Sequence, residues 1–239
     1  MHIYCIHIDK ALNETEFQEL TRYVSPDKKA KIHRFRKPID AARSLLGDLI
    51  IRTILCKHYG LKNDEIQYEY QEFGKPFLPN HPHFHFNISH SGDWVVGVVS
   101  NHPIGIDIEK ITEVKEDLAS LALCTEEHQK LQALNEMDQN LFFFKLWTLK
   151  ESYVKAIGTG LSEGLNTLEI TINNENIRMK KNEKPVQAYF ETMELQQGHQ
   201  LSLCSLSKNL YKEVQLFLLN EFTEEVQSFL RMSKAELIP

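Results

Sequence analysis

The chain has 239 residues, with 27 Lys and Arg against 33 Asp and Glu, and therefore a formal net charge of −6. Hydrophobic residues make up 42% and charged residues 25%, which excludes a disordered or low-complexity chain. The acidic balance argues against general nucleic-acid binding, and no apolar run approaches the roughly 20 residues of a membrane helix. The absence of a signal peptide and four widely spaced cysteines predict a cytoplasmic protein with reduced thiols, away from membranes.

The first predicted elements, in chain order, are a strand at residues 2–8, a helix at 14–24, a helix that starts after residue 25, and a long helix at 40–59. Ser25 is a favoured N-cap, and Pro26 suits the next position because its missing N–H costs nothing there. In the long helix, apolar residues recur at i, i+3, i+4 and i+7, and Gly60 closes it. This stretch therefore reads as one strand followed by helices.

The remaining elements repeat that order. Strands are predicted at 84–89, 94–100 and 104–110, helices at 118–135 and 140–157, and strands at 168–172, 177–179, 186–191 and 199–205. Residues 214–219 fit a strand or a helix, and an amphipathic helix is predicted at 221–231. Segregated runs of helices and strands favour an α+β fold over alternating βαβ units. Two similar α+β halves, 1–104 and 105–239, explain the order.

The most informative segment is IGIDIEK, the strand predicted at residues 104–110. Side chains two residues apart in a strand point to the same side, so Asp107 and Glu109 project together, opposite an apolar face of Ile104, Ile106 and Ile108. Two carboxylates on one face repel each other unless a cation lies between them, and oxygen ligands at this spacing suit Mg²⁺. Taken alone, however, the pattern fits a solvated acidic strand better.

The helix predicted at 140–157 carries a second group of polar residues. Thr148, Glu151 and Lys155 lie on one face at i, i+3 and i+7. A third carboxylate with a lysine one turn away could complete a metal and phosphate site, and Glu151 could accept a proton from a hydroxyl nucleophile. The alternative is a surface Glu–Lys pair worth a few tenths of a kcal/mol.

The segment FHFNISHSG at residues 84–92 places Ser89 and His90 near the end of a strand, where an imidazole and backbone N–H groups can meet an anion. Residues 74–76 form a predicted turn with one lysine. A zinc site is not expected from an alternating group of histidines that lacks a fourth ligand at the usual spacing, namely His81, His83 and His85.

Residues 28–37 reverse the acidic balance, because they hold six Lys and Arg residues and no acid. Lys28 and Lys31 are three residues apart on a helix, so they share a face that could clamp one phosphate. A solvated basic face is the ordinary interpretation of such a run. Nucleic acid is less suitable as a partner, because the run is short and lacks interleaved aromatic residues.

The order of these segments is distinctive: GKP at 74–76, FNISHSG at 86–92, GIDIE at 105–109 and WTLKESYVK at 147–155. In this order they resemble the 4′-phosphopantetheinyl transferases, most closely the larger, pseudo-dimeric type that activates surfactin-like peptide synthetases. The resemblance includes the segment 25–31 and LLGD at 45–48, and it extends to about residue 160.

The resemblance implies an enzyme that transfers the phosphopantetheine arm of coenzyme A to a serine of an apo peptidyl or acyl carrier protein and releases 3′,5′-ADP. It also implies a fold of two similar halves related by a pseudo-two-fold axis, with the active site between them. A monomer is expected. The alternatives are a non-catalytic module that binds coenzyme A or carrier protein, and a Mg²⁺-dependent nucleotide phosphohydrolase.

Site residues follow from the same resemblance. Asp107, Glu109 and Glu151 match the family's Mg²⁺ ligands, and Lys155 matches the lysine that meets the pyrophosphate. The residues that match contacts to coenzyme A are Lys28, Lys31, Ser44 and His90 at the phosphates, Ser89 at the pyrophosphate, and Gly74, Lys75 and Pro76 beside the adenine.

The expected chemistry is positioning and charge neutralisation, because the pyrophosphate of coenzyme A concentrates negative charge. Glu151, directly or through a water molecule, is the expected proton acceptor, and Glu127 is the second candidate. Two departures from the family pattern stand out. Residues 118–124 (LASLALC) replace the usual Arg-Phe-Phe stretch, which puts carrier preference in doubt, and Ser44 stands where threonine is more usual.

Overall fold

The computed structural model describes residues 1–160, 164–173, 176–196, 198–208 and 212–230. In these ranges the α-helices are α1 Glu14–Leu20, α2 Pro26–Ile32, α3 Pro38–Tyr59, α4 Glu116–Ala122, α5 Thr125–Gln132, α6 Glu136–Ile157 and α7 Leu219–Phe229. The strands are β1 His2–His7, β2 Glu69–Tyr70, β3 Pro76–Phe77, β4 His85–Ser91, β5 Trp94–Ser100, β6 Ile104–Lys110, β7 Leu168–Asn173, β8 Asn176–Lys181, β9 Lys184–Pro185, β10 Tyr189–Leu195, β11 His199–Ser205 and β12 Glu213–Leu218. Within this part of the chain, none of the helices could cross a membrane.

Two main sheets form the framework. The first has the strand order β12-β1-β5-β4, and the second has the order β10-β11-β6. Neighbouring strands are antiparallel except for the parallel pair β1 and β12. Each main sheet is covered by a helix of 22 residues, α3 on the first and α6 on the second. The predicted α+β class with two helix-on-sheet halves is therefore confirmed.

The helix ends follow the sequence signals. The side chain of Ser25 accepts a hydrogen bond from the backbone N–H of Lys28, with Pro26 in the first turn of α2. Gly60 and Gly158 end α3 and α6 with φ of 71° and 79°, a left-handed conformation that glycine adopts without a steric cost. These caps fix where each long helix stops relative to its sheet.

Two predicted elements need correction. The helix predicted at 118–135 is divided into α4 and α5, because Leu123 and Cys124 are extended and the Glu127 carboxylate accepts from the backbone N–H of Cys124. The strand predicted at 186–191 lies at Tyr189–Leu195, because the preceding residues Lys184–Pro185 already pair with β8. Residues 214–218 belong to a strand, Glu213–Leu218, and Leu219 begins α7, while Arg231 lies outside the described residues.

The C-terminal elements return to the first sheet. β12 pairs with β1, and α7 packs against α3 with Phe222 and Val226 in the same apolar core as Leu49 and Ile50. The division into halves near residue 104 stays a prediction. The packing shows that residues 213–229, which the prediction assigns to the C-terminal half, complete the apolar core of the N-terminal half.

Close contact between β6 and α6 depends on Gly105. A Cβ added there would lie 2.0 Å from the carbonyl oxygen of Ser152 and 2.5 Å from the backbone nitrogen of Ala156. Both of these atoms belong to backbone that a side-chain rotation cannot move. The glycine therefore sets the distance between the strand that carries Asp107 and the helix that carries Glu151.

We expect Gly105→Ala to lower the free energy of unfolding by about 3 kcal/mol, because overpacking forces strand and helix apart. Urea denaturation followed by circular dichroism measures it. Gly164→Ala is the matched control: φ at Gly164 is −68° and an added Cβ meets only side-chain atoms, so its effect should stay within about 0.5 kcal/mol. Equal stability of the two variants would contradict the packing argument.

Candidate active site between the two sheets

The two main sheets meet along β4 and β6 through hydrogen bonds between side chains and backbone. Asn87, Ser89 and Ser91 alternate along β4, so their side chains share the face toward β6. Their oxygens accept hydrogen bonds from the backbone N–H groups of residues 106, 108 and 110, at 2.9, 3.3 and 3.0 Å. This polar seam aligns the two strands residue by residue.

The same serines orient the carboxylates of β6. Ser89 Oγ donates to Asp107 Oδ1 and Ser91 Oγ donates to Glu109 Oε2, both at 2.8 Å. From α6, Lys155 Nζ lies 2.6 Å from Asp107 Oδ1 and 3.0 Å from Ser89 Oγ. Ser89 and Lys155 therefore hold Asp107 from two sides. The side chain of Asp107 is covered and does not face solvent, as it would on a solvated acidic strand.

A cavity of about 420 Å³ opens above these groups. Predicted site residues from both sheets and from α2, α3 and α6 line it together: Lys28, Ser44, Ser89, His90, Asp107, Glu109, Glu151 and Lys155. Ile88 and Trp147 complete the lining. The structure thus brings eight predicted residues, dispersed over 128 positions of the chain, into one cavity.

Burial shapes the electrostatics of the three carboxylates. Asp107 is only 3% exposed. Burial, followed by repulsion from Asp107, raises the pKa of Glu109 to about 7 and also raises the pKa of Glu151. Asp107 Oδ2 and Glu151 Oε1 are buried and have no hydrogen-bond partner among the described residues. Buried acceptors without donors are costly, and hard oxygen ligands of this kind fit a divalent cation such as Mg²⁺.

The oxygens of the three carboxylates are too far apart to bind one ion directly. Among the described residues, they do not form a group whose ligand atoms all lie within 4.8 Å of one another. Oxygens bound to one Mg²⁺ lie at 2.0–2.1 Å from it, so opposite ligands are at most about 4.2 Å apart. Direct binding by Asp107, Glu109 and Glu151 would therefore require a side-chain rotation, and water or phosphate oxygens could bridge the rest.

A second cavity, of about 560 Å³, adjoins the first and shares Lys28 and Ile88 with it. Lys31 and Pro76 line it, and so do residues that the sequence did not single out, among them Asp48, Tyr68 and Tyr70. Burial lowers the pKa of the half-buried Lys28. Burial and the nearby Arg43 lower the pKa of His90, so its imidazole is neutral before an anion binds. The second cavity thus contributes Lys28 and Lys31 together with Asp27 and Asp48, and the first contributes the three carboxylates.

Lys75 does not turn its ammonium group toward either cavity. Its Nζ donates to the backbone carbonyls of Lys155 at 2.6 Å and Ala156 at 2.8 Å, at the C-terminal end of α6. Burial lowers its pKa to about 8. Gly74 has a φ of 80°, as a tight turn requires. The side chain thus ties the turn that carries Pro76 to the helix that carries Lys155.

Glu127 lies away from the cavity lining. Its carboxylate accepts from Lys150 Nζ at 2.5 Å, from the backbone N–H of Ile170 at 2.8 Å and from that of Cys124 at 3.0 Å. Lys150 is fully buried, and Glu127 is 1% exposed. These bonds join α5, α6 and β7, which is the arrangement of a structural ion pair.

The sequence did not indicate the polar seam between β4 and β6, nor the aromatic residues that line the cavities, Tyr68, Tyr70 and Trp147. Alternation of Asn87, Ser89 and Ser91 on a predicted strand was visible as a polar face, but nothing in the sequence says that this face meets β6. Trp147 follows the same helix face as Glu151 and Lys155, at i, i+4 and i+8, so its spacing could have found it.

Comparison with known proteins agrees with this arrangement. Residues 12–102 match the family model "4′-phosphopantetheinyl transferase, N-terminal", and residues 103–204 match "4′-phosphopantetheinyl transferase superfamily". The 4′-phosphopantetheinyl transferase Sfp of Bacillus subtilis (strain 168) is 34% identical over 217 residues, which cover 90% of this chain and 96% of the relative. The 4′-phosphopantetheinyl transferase gsp of Aneurinibacillus migulanus is 39% identical over 202 residues, 84% of each chain.

A third relative, the 4′-phosphopantetheinyl transferase psf-1 of Bacillus pumilus, is 36% identical over 211 residues, which cover 86% of this chain and 90% of the relative. The chain belongs to the 4′-phosphopantetheinyl transferase family. It is an enzyme that transfers the phosphopantetheine arm of coenzyme A to carrier proteins.

We expect the carboxyl group of Glu109 to titrate near pH 7 in metal-free protein, as seen by ¹³C NMR of labelled glutamate. Asp107→Asn should lower this pKa, because it removes the neighbouring negative charge while burial remains. Asp64→Asn, an exposed change distant in sequence, should leave it unmoved. A wild-type midpoint near 4.5 would show that the site is more solvated than the structure indicates.

Proposed function

We propose that this chain carries out the transfer in the cavity between β4, β6 and α6, on a serine hydroxyl of an apo carrier protein and with Mg²⁺, and that it releases 3′,5′-ADP. The observation that carries the proposal is the set of buried Asp107 and half-buried Glu109 and Glu151 beside Lys155, with buried, unpartnered oxygens on Asp107 and Glu151 among the described residues. Such a set is costly without a cation, and phosphoryl transfer is the chemistry that needs one.

Asp107, Glu109 and Glu151 would hold the Mg²⁺. When bound, the ion would supply positive charge that neutralises phosphate oxygens. Ser89 and Ser91 keep two of these carboxylates aligned before the substrate arrives. Lys155 would add a second cation beside the pyrophosphate, because its ammonium already lies between Asp107 and Ser89.

The second cavity, with Lys28 and Lys31 in its lining, would bind the nucleotide end of coenzyme A. Lys28 belongs to both cavities, so it can reach phosphates in either. Lys31 lies one turn further along α2, and Ser44 and His90 add polar groups from α3 and β4. The turn at Gly74, Lys75 and Pro76 borders the second cavity through Pro76, which supports the placement of the adenine there.

Glu151 would accept the proton of the attacking serine hydroxyl. Its Oε1 has no hydrogen-bond partner among the described residues, and burial raises its pKa, which makes the carboxylate a better base. The oxygen of the serine forms a bond to the phosphorus that carries the pantetheine, and the bond to the ADP oxygen breaks. Glu127 is not part of this proposal, because its oxygens already accept three hydrogen bonds.

The names of the relatives support activation of carrier proteins in nonribosomal peptide synthesis as the setting, and nothing observed favours a non-catalytic module or a nucleotide phosphohydrolase. The two family models meet between residues 102 and 103, which supports two halves divided near residue 104. A monomer, a cytoplasmic location and the absence of nucleic-acid or membrane partners remain predictions from the sequence.

We expect an apo peptidyl carrier protein to gain one phosphopantetheine mass when incubated with this protein, coenzyme A and Mg²⁺, as measured by intact-mass spectrometry. Asp107→Asn should reduce kcat/KM about a hundredfold or more, because charge neutralisation by the ion contributes several kcal/mol. The matched control is Asp64→Asn, at an exposed position. Wild-type activity of folded Asp107→Asn, checked by circular dichroism, would place the metal elsewhere.

The double variant Lys28→Ala with Lys31→Ala should raise KM for coenzyme A roughly 10- to 100-fold, the value of lost charge-assisted hydrogen bonds. KM for dephospho-coenzyme A, which lacks the 3′-phosphate, should hardly change. Lys29→Ala, an exposed lysine of the same helix, is the control. Steady-state kinetics with both substrates measures the two KM values. An equal rise in both would show that the two lysines do not contact the 3′-phosphate.

A further inference from the structure

A second cluster of potential metal ligands lies away from the cavity, at the opposite edge of the four-stranded sheet. His2, His58 and Glu213 each place a ligand atom within 4.8 Å of the others. In the described ranges of the chain, no other three His, Cys, Asp or Glu side chains approach so closely. The cluster joins β1, α3 and β12, and the transferase site uses none of its members.

The fold fixes the three positions. His2 lies opposite Glu213 in the parallel pairing of β1 and β12, and its Nδ1 is 3.3 Å from Glu213 Oε2. His58 belongs to the last turn of α3, and its ring stacks on that of His2, with ring centroids 3.7 Å apart and planes inclined by 13°. Three regular elements therefore hold the side chains together, rather than one mobile loop.

His58 already has the hydrogen bond that orients a metal-binding histidine. The hydroxyl of Tyr4 lies 2.9 Å from its Nε2, and burial raises the pKa of Tyr4, so the phenol stays neutral. Histidine ligands usually donate their second ring N–H to an oxygen, which fixes the tautomer. With Nε2 bonded to Tyr4, Nδ1 is the nitrogen that is left for an ion.

The lysine next to His58 does not compete with an ion for Glu213. The ammonium of Lys57 lies 3.1 Å from both oxygens of Glu225, so it is engaged away from Glu213.

We propose that His2, His58 and Glu213 form a Zn²⁺ site, with solvent in the fourth position. Two neutral imidazoles and one carboxylate are a donor set typical of Zn²⁺, whereas Mg²⁺ prefers oxygen ligands alone. Since the lone pairs of imidazole lie in the ring plane, the ring of His2 must rotate out of the stack to reach the ion, while the bond to Tyr4 holds His58 in place. The bound ion would then tie β12 to β1 and α3.

The test uses the full chain after removal of metals with a chelator, in a buffer with excess Mg²⁺ that competes at the carboxylate cavity. Isothermal titration with Zn²⁺ should show one site, and Co²⁺ in its place should give the intense visible absorption of tetrahedral coordination. Zn²⁺ at a hundredfold excess over its Kd should raise the Tm by roughly 5–10 °C.

His58→Gln and Glu213→Gln should each weaken Zn²⁺ binding by roughly a hundredfold and abolish the rise in Tm. Glu213 is exposed, so its variant retains the fold even if His58→Gln is less stable. The matched control is His83→Gln, at the exposed member of the alternating histidines, which should bind as wild type does. Equal binding by wild type and Glu213→Gln, loss of binding in His83→Gln, or no stoichiometric binding by wild type would overturn the proposal.

Discussion

The polar seam between β4 and β6 is the interaction on which the rest of the site depends. A hydroxyl group has one donor and two acceptor positions, and Ser89 uses all three. It donates to Asp107, accepts from the backbone N–H of Ile108, and accepts from Lys155. One side chain therefore joins the two sheets, orients a carboxylate and positions a lysine. Any shift of the sheets along this seam would misalign the carboxylates as well.

The close approach of α6 to β6 brings Glu151 and Lys155 to the carboxylates of β6 and accounts for the repulsion among the three carboxylates. Because Gly105 lets the helix backbone reach the strand, Glu151 lies half-buried near Asp107, and the pKa values of Glu151 and Glu109 rise. Repulsion among these carboxylates is unfavourable without a cation, and the apolar cores on both sides offset it. A site that is unfavourable without a cation is suited to bind one tightly together with a polyanionic substrate.

Buried strands are the elements whose bounds follow most directly from the residue pattern. β5, β6 and β11 have the predicted bounds, because β-branched runs between turn signals describe buried strands well. The prediction that Asp107 and Glu109 share a face holds, since period two is a property of any strand. Glu127 and Lys75 show the limit, because no motif reveals the contacts that the structure gives them. Glu127 accepts from the buried Lys150, and Lys75 donates to backbone carbonyls at the end of α6.

The sequence by itself determined the α+β class, the glycine that ends α3, the family and eight of the ten residues that line the cavity, because local periodicity and short motifs encode these features. Only the tertiary structure decided what lies opposite each motif. It placed the seam of β4 against β6, returned β12 and α7 to the first sheet, and brought His2 and His58 beside Glu213. Contacts between residues far apart in the chain depend on packing and register, and no local pattern specifies them.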